Sequence, residues 1–411
     1  MNTAHRYGRP VGVAAAALLL AAGVARAQVS DYYDHAWTGN GATGNWSDPG
    51  NWTRNPDGAA SGAVPGQFEI LNIGPTTTAR SVTNQDLASP LNVVALRFDP
   101  DLGDFEITGS PIRLSAIVGE TTVVDGPSGF RSTARVISAP VELDGAVSVA
   151  GSISGAPGMT LRQVGGAGSL TVDSGFLRVL RATYTGSSTV HGELQVGGWV
   201  RNFSEFIPGS TEGQGDYLVE GATPSTTARL TGTGTIGLAP GKRITIGRGG
   251  HLSPDYFALG PVDTTITVNG DVRFGDGSAY DVWGQLGSGD RLTVNGLLDL
   301  TGAGDSLNFG GIVVHGGVYN IVVADYQSRL GEFDVVNGQG FDAVFSSIRY
   351  PIRVSYTSAA GAGPGQVIVT VTTPEPAVFA TGGAVAALAL MARRRRVPST
   401  LFRKAGYPTH G

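Results

Sequence analysis

The chain has no cysteine, few charged residues and, between residues 28 and 376, a single lysine, Lys242. The missing cysteine excludes disulfides, thiolate metal sites and cysteine nucleophiles, so an apolar core and backbone hydrogen bonds must hold the fold. Charged residues are only 15% of the 411, whereas glycine is abundant, at 63. This glycine follows no triplet repeat, which excludes collagen, and the interleaved valine, leucine and isoleucine indicate a folded chain.

The body of the chain is acidic. Residues 28–376 carry 19 basic and 33 acidic residues, a net charge of −14. Such a surface repels nucleic acid and anionic lipid, so neither is expected as a partner.

The N-terminus has the three parts of a secretory signal peptide. Arg6 and Arg9 form a basic region, Val11–Val24 is apolar, and Ala25-Arg26-Ala27 is a small-residue cleavage site. We therefore expect signal peptidase to remove residues 1–27, with Ala25 and Ala27 as the recognised positions.

The C-terminus carries a second apolar segment with ordered flanks. Pro374-Glu375-Pro376 precedes the uncharged run 377–392, which would span about 24 Å as a helix, short of a bilayer core of about 30 Å. Arginines then favour the cytoplasmic side and place the body on the other side. The pattern predicts transient anchoring in the inner membrane. The four arginines are Arg393, Arg394, Arg395 and Arg396.

This order of motif, apolar span and arginine cluster resembles the PEP-CTERM sorting signal of Gram-negative bacteria. The resemblance implies that an exosortase processes the tail and that the protein reaches the cell surface or the extracellular space of an exopolysaccharide- or biofilm-producing cell. Residues Pro374, Glu375, Pro376 and the arginine cluster would then be sorting residues. The chain departs from the pattern in one respect, because residues 397–411 follow the arginines where the family usually ends.

Short alternating apolar runs, each preceded by glycine, dominate the body. Each predicts a strand with one apolar face and a turn before it. The clearest runs are Val147-Ser148-Val149, Leu170-Thr171-Val172, Leu194-Gln195-Val196, Val272-Arg273-Phe274 and Leu298-Asp299-Leu300.

The spacing of the preceding glycines favours a solenoid. The intervals are 23 and 24 residues in one set and 20 and 26 in the other, which suits coils that bury their inward side chains against their neighbours. We predict an all-β fold, a right-handed parallel β-helix, with a β-sandwich array as the alternative. The two sets are Gly145, Gly168, Gly192 and Gly250, Gly270, Gly296.

The repeats are similar to the β-helical passenger repeats of autotransporters, for example in Leu230–Ile236 and Asp290–Gly296. This second resemblance implies architecture alone. Longer strands near the C-terminus predict a capping sheet over the open end of the solenoid. The expected divisions are a signal peptide (1–27), a Trp-rich N-terminal cap (28–60), the β-helical repeats (61–306), a C-terminal β cap (307–372), the sorting signal (373–396) and a basic extension (397–411).

Three of the five tryptophans, Trp37, Trp46 and Trp52, fall within sixteen residues near the start of the body. One interpretation is an aromatic platform that contacts sugar rings. The other is a cap whose large side chains cover the first coil.

Motifs with specific chemistry are weak. Residues 232–237 satisfy G-x-G-x-x-G, but a strand follows instead of the helix that a dinucleotide site needs, so we interpret them as a corner. The histidines His35, His191, His251 and His315 lack metal spacing, and each is expected to be an exposed turn or strand residue. Acids that could serve catalysis or calcium are interpreted as turn residues. They are Asp99, Asp101, Asp104, Asp255 and Asp263.

The sequence therefore predicts an exported, non-enzymatic structural or adhesive protein that associates with extracellular polysaccharide and needs no cofactor or metal. Its other expected partners are signal peptidase and exosortase. The alternatives are a β-helical polysaccharide lyase or hydrolase, and a tryptophan-based carbohydrate-binding module.

Overall fold

The structure is a computed structural model that describes residues 34–55, 63–74, 82–87, 90–98, 102, 104–115, 117–119, 135–150, 159–200, 205–223, 225–254, 264–285, 288–313, 317–342, 349–361 and 363–373. The signal peptide with Ala25 and Ala27, and the whole sorting signal with Pro374, Glu375, Pro376 and Arg393–Arg396, lie outside these residues.

The described residues form an all-β fold, as predicted. They contain strands and one short 3-10 helix, Pro49–Asn51, and no α-helix. Contacts divide the chain into two compact units, Met1–Gly186 with Trp199–Glu205, and Ser187–Gly198 with Phe206–Gly411.

The strands of the first unit are β1 (Asp34–Trp37), β2 (Trp52–Asn55), β3 (Glu69–Ile73), β4 (Val82–Gln85), β5 (Leu91–Phe98), β6 (Phe105–Gly109), β7 (Ile112–Leu114), β8 (Ile117–Gly119), β9 (Arg135–Ile137), β10 (Val141–Leu143), β11 (Ala146–Ala150), β12 (Met159–Gly166), β13 (Ser169–Val172) and β14 (Phe176–Ala182).

The strands of the second unit are β15 (Ser188–Val190), β16 (Glu193–Val200), β17 (Glu205–Gln214), β18 (Tyr217–Val219), β19 (Ala228–Gly232), β20 (Gly234–Leu238), β21 (Arg243–Ile246), β22 (Gly250–Ser253), β23 (Thr265–Asn269), β24 (Asp271–Phe274), β25 (Ala279–Gln285), β26 (Ser288–Gly289), β27 (Arg291–Leu300), β28 (Ser306–Val313), β29 (Val318–Gly331), β30 (Val335–Asp342), β31 (Arg349–Tyr350), β32 (Ile352–Tyr356) and β33 (Gly365–Thr372). The last two residues of β16 and the first residue of β17 belong to the first unit.

Three parallel ladders organise the first unit. One joins β4, β6, β9, β12 and β14, a second joins β5, β7, β10 and β12, and a third joins β1, β3, β5, β8, β11 and β13. From β6 to β11 the chain visits the three ladders in turn and then repeats the circuit. Each circuit thus places a strand beside the equivalent strand of the circuit before.

The second unit repeats this plan with longer strands. Its first ladder joins β15, β18, β21, β24, β27 and β29, and its second joins β16, β19, β22, β25, β28 and β30. The third joins β17, β20, β23, β27 and β29. Strands β27 and β29 are long enough to take part in two ladders each.

Glycine is required where the corners of successive circuits stack. A Cβ atom on Gly168 would lie 2.2 Å from the carbonyl oxygen of Gly145, and one on Gly296 would lie 2.4 Å from that of Gly270. Gly145 and Gly270 also have positive φ angles, of 90° and 150°, which residues with a Cβ rarely adopt. The spacing from Gly145 to Gly168, and that from Gly270 to Gly296, thus mark corners where one backbone lies directly on the next.

Apolar side chains alternate with polar ones along each strand, and the apolar set faces inward. Along the second ladder of the second unit the inward row is Leu194, Leu230, Leu252, Tyr280 and Leu307, all buried. Full burial of one such side chain contributes about 1.5–3 kcal/mol. The row continues at Val336 on β30, the last strand of this ladder. Val336 is 42% exposed, so the inward row is partly accessible to solvent at its end.

The C-terminal strands change direction. Strand β33 pairs antiparallel with β29 on one side and with β32 on the other. This antiparallel sheet falls within the region 307–372 where the sequence predicts a β cap.

In the part of the chain that the structure describes, no helix has the length and apolar character needed to cross a membrane.

Candidate functional site

The three clustered tryptophans form a buried aromatic group in the first unit. The ring of Trp52 meets those of Trp37 and Trp46 edge-on, with centroids 5.0 and 5.4 Å apart. The side chains are 2% (Trp37), 0% (Trp46) and 1% (Trp52) exposed. A sugar platform needs rings that are open to solvent, and these rings cover one another. The geometry therefore gives no support to glycan contact at these three positions, which stays a prediction.

Buried polar groups fix the loop that carries Trp46. The amide of Asn51 accepts a hydrogen bond from the Gly41 N–H at 2.8 Å and donates to the carbonyl oxygens of Thr43 and Asn45. The indole N–H of Trp52 donates to the Trp46 carbonyl oxygen at 2.9 Å. The loop is held by side chains because its backbone groups have few ladder partners.

His35 is buried beside this group, which corrects the expectation that it is exposed. Its Nδ1 lies 2.9 Å from Oε2 of Glu69, close enough for a charge contact but not aligned as a hydrogen bond. Burial would raise the pKa of Glu69, yet contact with His35 and the N–H of Gly66 hold it below the ordinary value. His35 therefore lies in the interior of the first unit, with its ring centroid 6.3 Å from that of Trp52.

The second unit carries a different arrangement, a row of polar side chains on the outer face of its second ladder. The members alternate with the inward apolar row and come from five neighbouring strands, β19, β22, β25, β28 and β30. We call this set the polar row. It consists of Arg229, His251, Asp281, Asn308 and Asn337.

Asp281 is the centre of the polar row. Its Oδ2 lies 2.6 Å from Nδ1 of His251 and 3.2 Å from Nη1 of Arg229. Its Oδ1 accepts a hydrogen bond of 2.8 Å from the side-chain N–H of Asn308, and the side-chain oxygen Oδ1 of Asn308 accepts one of 3.1 Å from the side-chain N–H of Asn337. Hydrogen bonds thus connect all five strands, and both carboxylate oxygens have partners.

The electrostatics of the row follow from these contacts. Burial would raise the pKa of Asp281, but the hydrogen bonds from His251 and Asn308, with the charges of His251 and Arg229, hold it below its ordinary value. Asp281 is therefore ionised at neutral pH, and Arg229 offsets its charge. His251 is half-buried and paired, which corrects its predicted role as a lone exposed residue.

Trp283 lies on the same face of β25 as Asp281, two residues further along. Its indole ring occupies the volume that a side chain at position 310 would take, because a Cβ there would lie 2.6 Å from ring carbons Cε3 and Cζ3. The side chain of Trp283 is nevertheless 42% exposed. An aromatic ring thus lies over β28 at Gly310, two residues along the strand from Asn308.

Asp290 fixes the backbone of Trp283. The Asp290 N–H donates to the Trp283 carbonyl oxygen at 2.8 Å, and the Trp283 N–H donates to Oδ2 of Asp290 at 3.2 Å. Oδ1 of this buried carboxylate accepts a hydrogen bond of 2.6 Å from the Thr264 hydroxyl. Asp290, which follows β26, therefore fixes the backbone of β25 at Trp283.

The sequence-predicted acids are not brought together. Asp104 is exposed in the first unit, while Asp99, Asp101, Asp255 and Asp263 lie outside the described residues, as does His315. The ring of His191 contacts the Glu220 carbonyl oxygen at 3.0 Å. Within the described ranges no group of three or more His, Cys, Asp or Glu residues is placed to hold a metal ion.

The G-x-G-x-x-G sequence is a corner, as predicted. Gly232 ends β19 and Gly234 begins β20, both with positive φ. A Cβ on Gly232 would lie 2.1 Å from the Val196 carbonyl oxygen of the neighbouring strand, so these glycines allow close stacking of strands.

Searches of protein families, of curated proteins and of solved structures found no match to this chain.

Proposed function

We propose that each unit is a right-handed parallel β-helix and that the antiparallel sheet of β29, β32 and β33 closes the second. The support is the order in which the chain visits three parallel ladders, circuit after circuit, in each unit. Connections between parallel strands are right-handed in nearly all proteins, which sets the proposed hand.

The proposed role is that of an exported, non-enzymatic structural or adhesive protein of the cell surface or extracellular matrix, associated with exopolysaccharide. The observation that carries it is the polar row, which presents hydrogen-bonding side chains on five successive strands. Groups repeated along a solenoid suit several weak contacts with a long polymer, where avidity replaces one strong site.

The route to the surface rests on sequence resemblance. Signal peptidase removes residues 1–27, the segment 377–392 anchors the chain transiently in the inner membrane, and an exosortase processes the PEP-CTERM signal 373–396. Pro374, Glu375, Pro376 and the arginine cluster Arg393–Arg396 direct this step.

Fractionation of cells that express the intact chain or a deletion of residues 374–376 tests this proposal. We expect the intact chain at the surface or in the medium without residues 377–411, and the deletion variant retained in the inner membrane with its tail. Deletion of residues 408–410 is the matched control and leaves sorting unchanged. If the intact chain and the 374–376 deletion reach the same compartment with intact tails, as measured by mass spectrometry, the sorting proposal is wrong.

One observation favours the enzymatic alternative. Asp281 orients the imidazole of His251 through Nδ1, the arrangement by which a carboxylate prepares a histidine for proton transfer. A lyase or hydrolase would release reducing ends from a polysaccharide, and His251→Ala would abolish that release. Absence of new reducing ends with any polysaccharide that the protein binds rules this alternative out.

A further inference from the structure

We propose that Trp283, Asn308 and Asn337 form a subsite for a linear, uncharged polysaccharide. The polysaccharide runs across the strands of the second ladder of the second unit. The inference rests on the proposed function in taking polysaccharide as the partner. It adds the place of binding, the direction of the sugar chain and its charge class.

The aromatic part of the subsite is preorganised. A tryptophan ring stacks on the apolar C–H face of a sugar, which is flat when the hydroxyl groups are equatorial. The Trp283 ring lies on Gly310, and Asp290 bonds both backbone groups of Trp283. A sugar would thus meet a ring whose position is already fixed, and little conformational entropy would be lost on binding.

The amide part is offset from the ring by two residues along β28 and can hydrogen-bond to sugar hydroxyl groups. Asn308 and Asn337 hydrogen-bond to each other, and the chain of bonds ends at Asp281. An amide has two N–H donors and one oxygen acceptor with two lone pairs. Asn337 uses one of its N–H donors in the bond to Asn308, and its side chain is exposed on β30. Its second donor and its oxygen suit adjacent sugar hydroxyls, which donate and accept in the same way.

The direction of the sugar chain follows from the strand spacing. Trp283, Asn308 and Asn337 lie on β25, β28 and β30, and neighbouring strands are about 4.8 Å apart, so the subsite extends about 10 Å across the strands. A chain that ran along β25 would leave Trp283 for Asp281, whose two oxygens already have partners. A chain that crosses the strands obliquely meets a new group on each, because Asn308 is offset by two residues from the position opposite Trp283 and Asn337 lies opposite Asn308.

The charge class follows from the surroundings. Arg229 offsets the charge of Asp281 within the polar row, so the row offers no excess positive charge to a polyanion. The body as a whole carries a net charge of −14 over residues 28–376, which repels anionic polymers. An uncharged polysaccharide avoids this cost.

Affinity electrophoresis of the purified protein tests the subsite. The gels contain hydroxyethyl cellulose as the linear uncharged probe, alginate as the linear anionic probe, or galactomannan as the branched probe. We expect the strongest retardation with hydroxyethyl cellulose. Trp283→Ala should weaken it by about tenfold or more, and Trp283→Phe by less, because a ring remains.

A matched pair of asparagine variants tests the direction. Asn337→Ala removes an amide bonded to Asn308 and should weaken retardation several-fold. Asn295→Ala removes an exposed amide that bonds Asn269 at 2.8 Å on another ladder, and should leave retardation unchanged. Thermal melting confirms that each variant is folded. Equal retardation of Asn337→Ala and Asn295→Ala overturns the crossing direction.

The remaining outcomes are also decisive. Stronger retardation by alginate overturns the uncharged class, and stronger retardation by galactomannan overturns the linear form. Retardation that Trp283→Ala leaves unchanged, or no retardation in any gel, overturns the subsite. In either of these two cases the cell fractionation still reports on export, so failure of the subsite is distinguishable from failure of the proposed function.

Discussion

Asp305 provides a sharp test of how the core of the second unit is built. Its side chain is 0% exposed at the corner before β28, where Oδ1 accepts a hydrogen bond of 2.9 Å from the Asp334 N–H. Oδ2 is buried without a hydrogen-bond partner. Burial raises the pKa of Asp305 to about 6, against the Asp334 N–H, which lowers it, and with the charges of Asp334 and Asp299, which raise it.

The magnitude follows from linkage between protonation and folding. The pKa rises from 3.8 to about 6, and a shift of one pKa unit corresponds to about 1.4 kcal/mol of folding free energy. The folded protein therefore holds the Asp305 proton more tightly than the unfolded chain. Asp305 disfavours the fold by up to about 3 kcal/mol above pH 6, and this cost disappears as the pH falls toward 4.

We therefore predict that Asp305→Asn stabilises the protein at neutral pH. The new amide keeps the acceptor for the Asp334 N–H, but its buried N–H group lacks an acceptor, which costs about 1 kcal/mol. The net gain is about 1–2 kcal/mol near pH 7, and near pH 4 the variant is no more stable than the parent. Urea unfolding followed by circular dichroism at several pH values measures this difference.

Asp144→Asn is the matched control, because Asp144 is exposed, is not among the groups that shift the pKa of Asp305, and its stability effect should be small. A gain from Asp305→Asn that is constant between about pH 4 and pH 7 would show that the buried carboxyl does not titrate as argued. A loss of stability at neutral pH would refute the reasoning altogether.

Three further predictions concern the corners, the cap and the hairpin. Gly168→Ala should destabilise by about 2 kcal/mol or more in urea unfolding, because its Cβ meets the Gly145 carbonyl oxygen, whereas Gly74→Ala, with nothing within 4 Å, should be neutral. Trp52→Ala should cost about 3–5 kcal/mol by the same assay, and the exposed Phe68→Ala less than about 0.5 kcal/mol; equal costs would contradict the burial of the tryptophan group. Asp290→Asn should loosen Trp283 and increase quenching of its fluorescence by acrylamide, with Asp299→Asn as the unaffected control.

Local strand positions were predictable because the alternation of side chains depends on the sequence alone. The runs at residues 147–149 and 170–172 are strands, and Val147 pairs with Leu170 across 23 residues, as the glycine spacing indicated. The period fails elsewhere. Leu194 pairs with Leu230, 36 residues later, and Gly250 stacks on Val219 instead of preceding Gly270 at the same corner. Turns of unequal length change the size of each circuit without changing the strands.

The polar row and its tryptophan were not predictable in the same way. His251 and Asp281 are 30 residues apart and meet because of the register between β22 and β25. The alternation of the strand shows from the sequence that Trp283 faces outward. The packing of its ring on Gly310 is not visible there, because it depends on the register with the next circuit. The clustered tryptophans can be recognised from their proximity in the sequence. Their burial cannot, because it depends on contacts such as that of Trp46 with Thr83, 37 residues later.

If the proposed sorting tail holds the protein at the membrane, the position of β33 has a mechanical consequence. Thr373, where the chain leaves toward residues 374–411, bonds Gly317 through its N–H at 2.9 Å, and its hydroxyl accepts the Gly317 N–H. Strand β33 lies between β29 and β32, with registered pairs on both sides. A pull on the tail would therefore load two sets of backbone hydrogen bonds at once, and the force would pass through β29 into the ladders of the second unit.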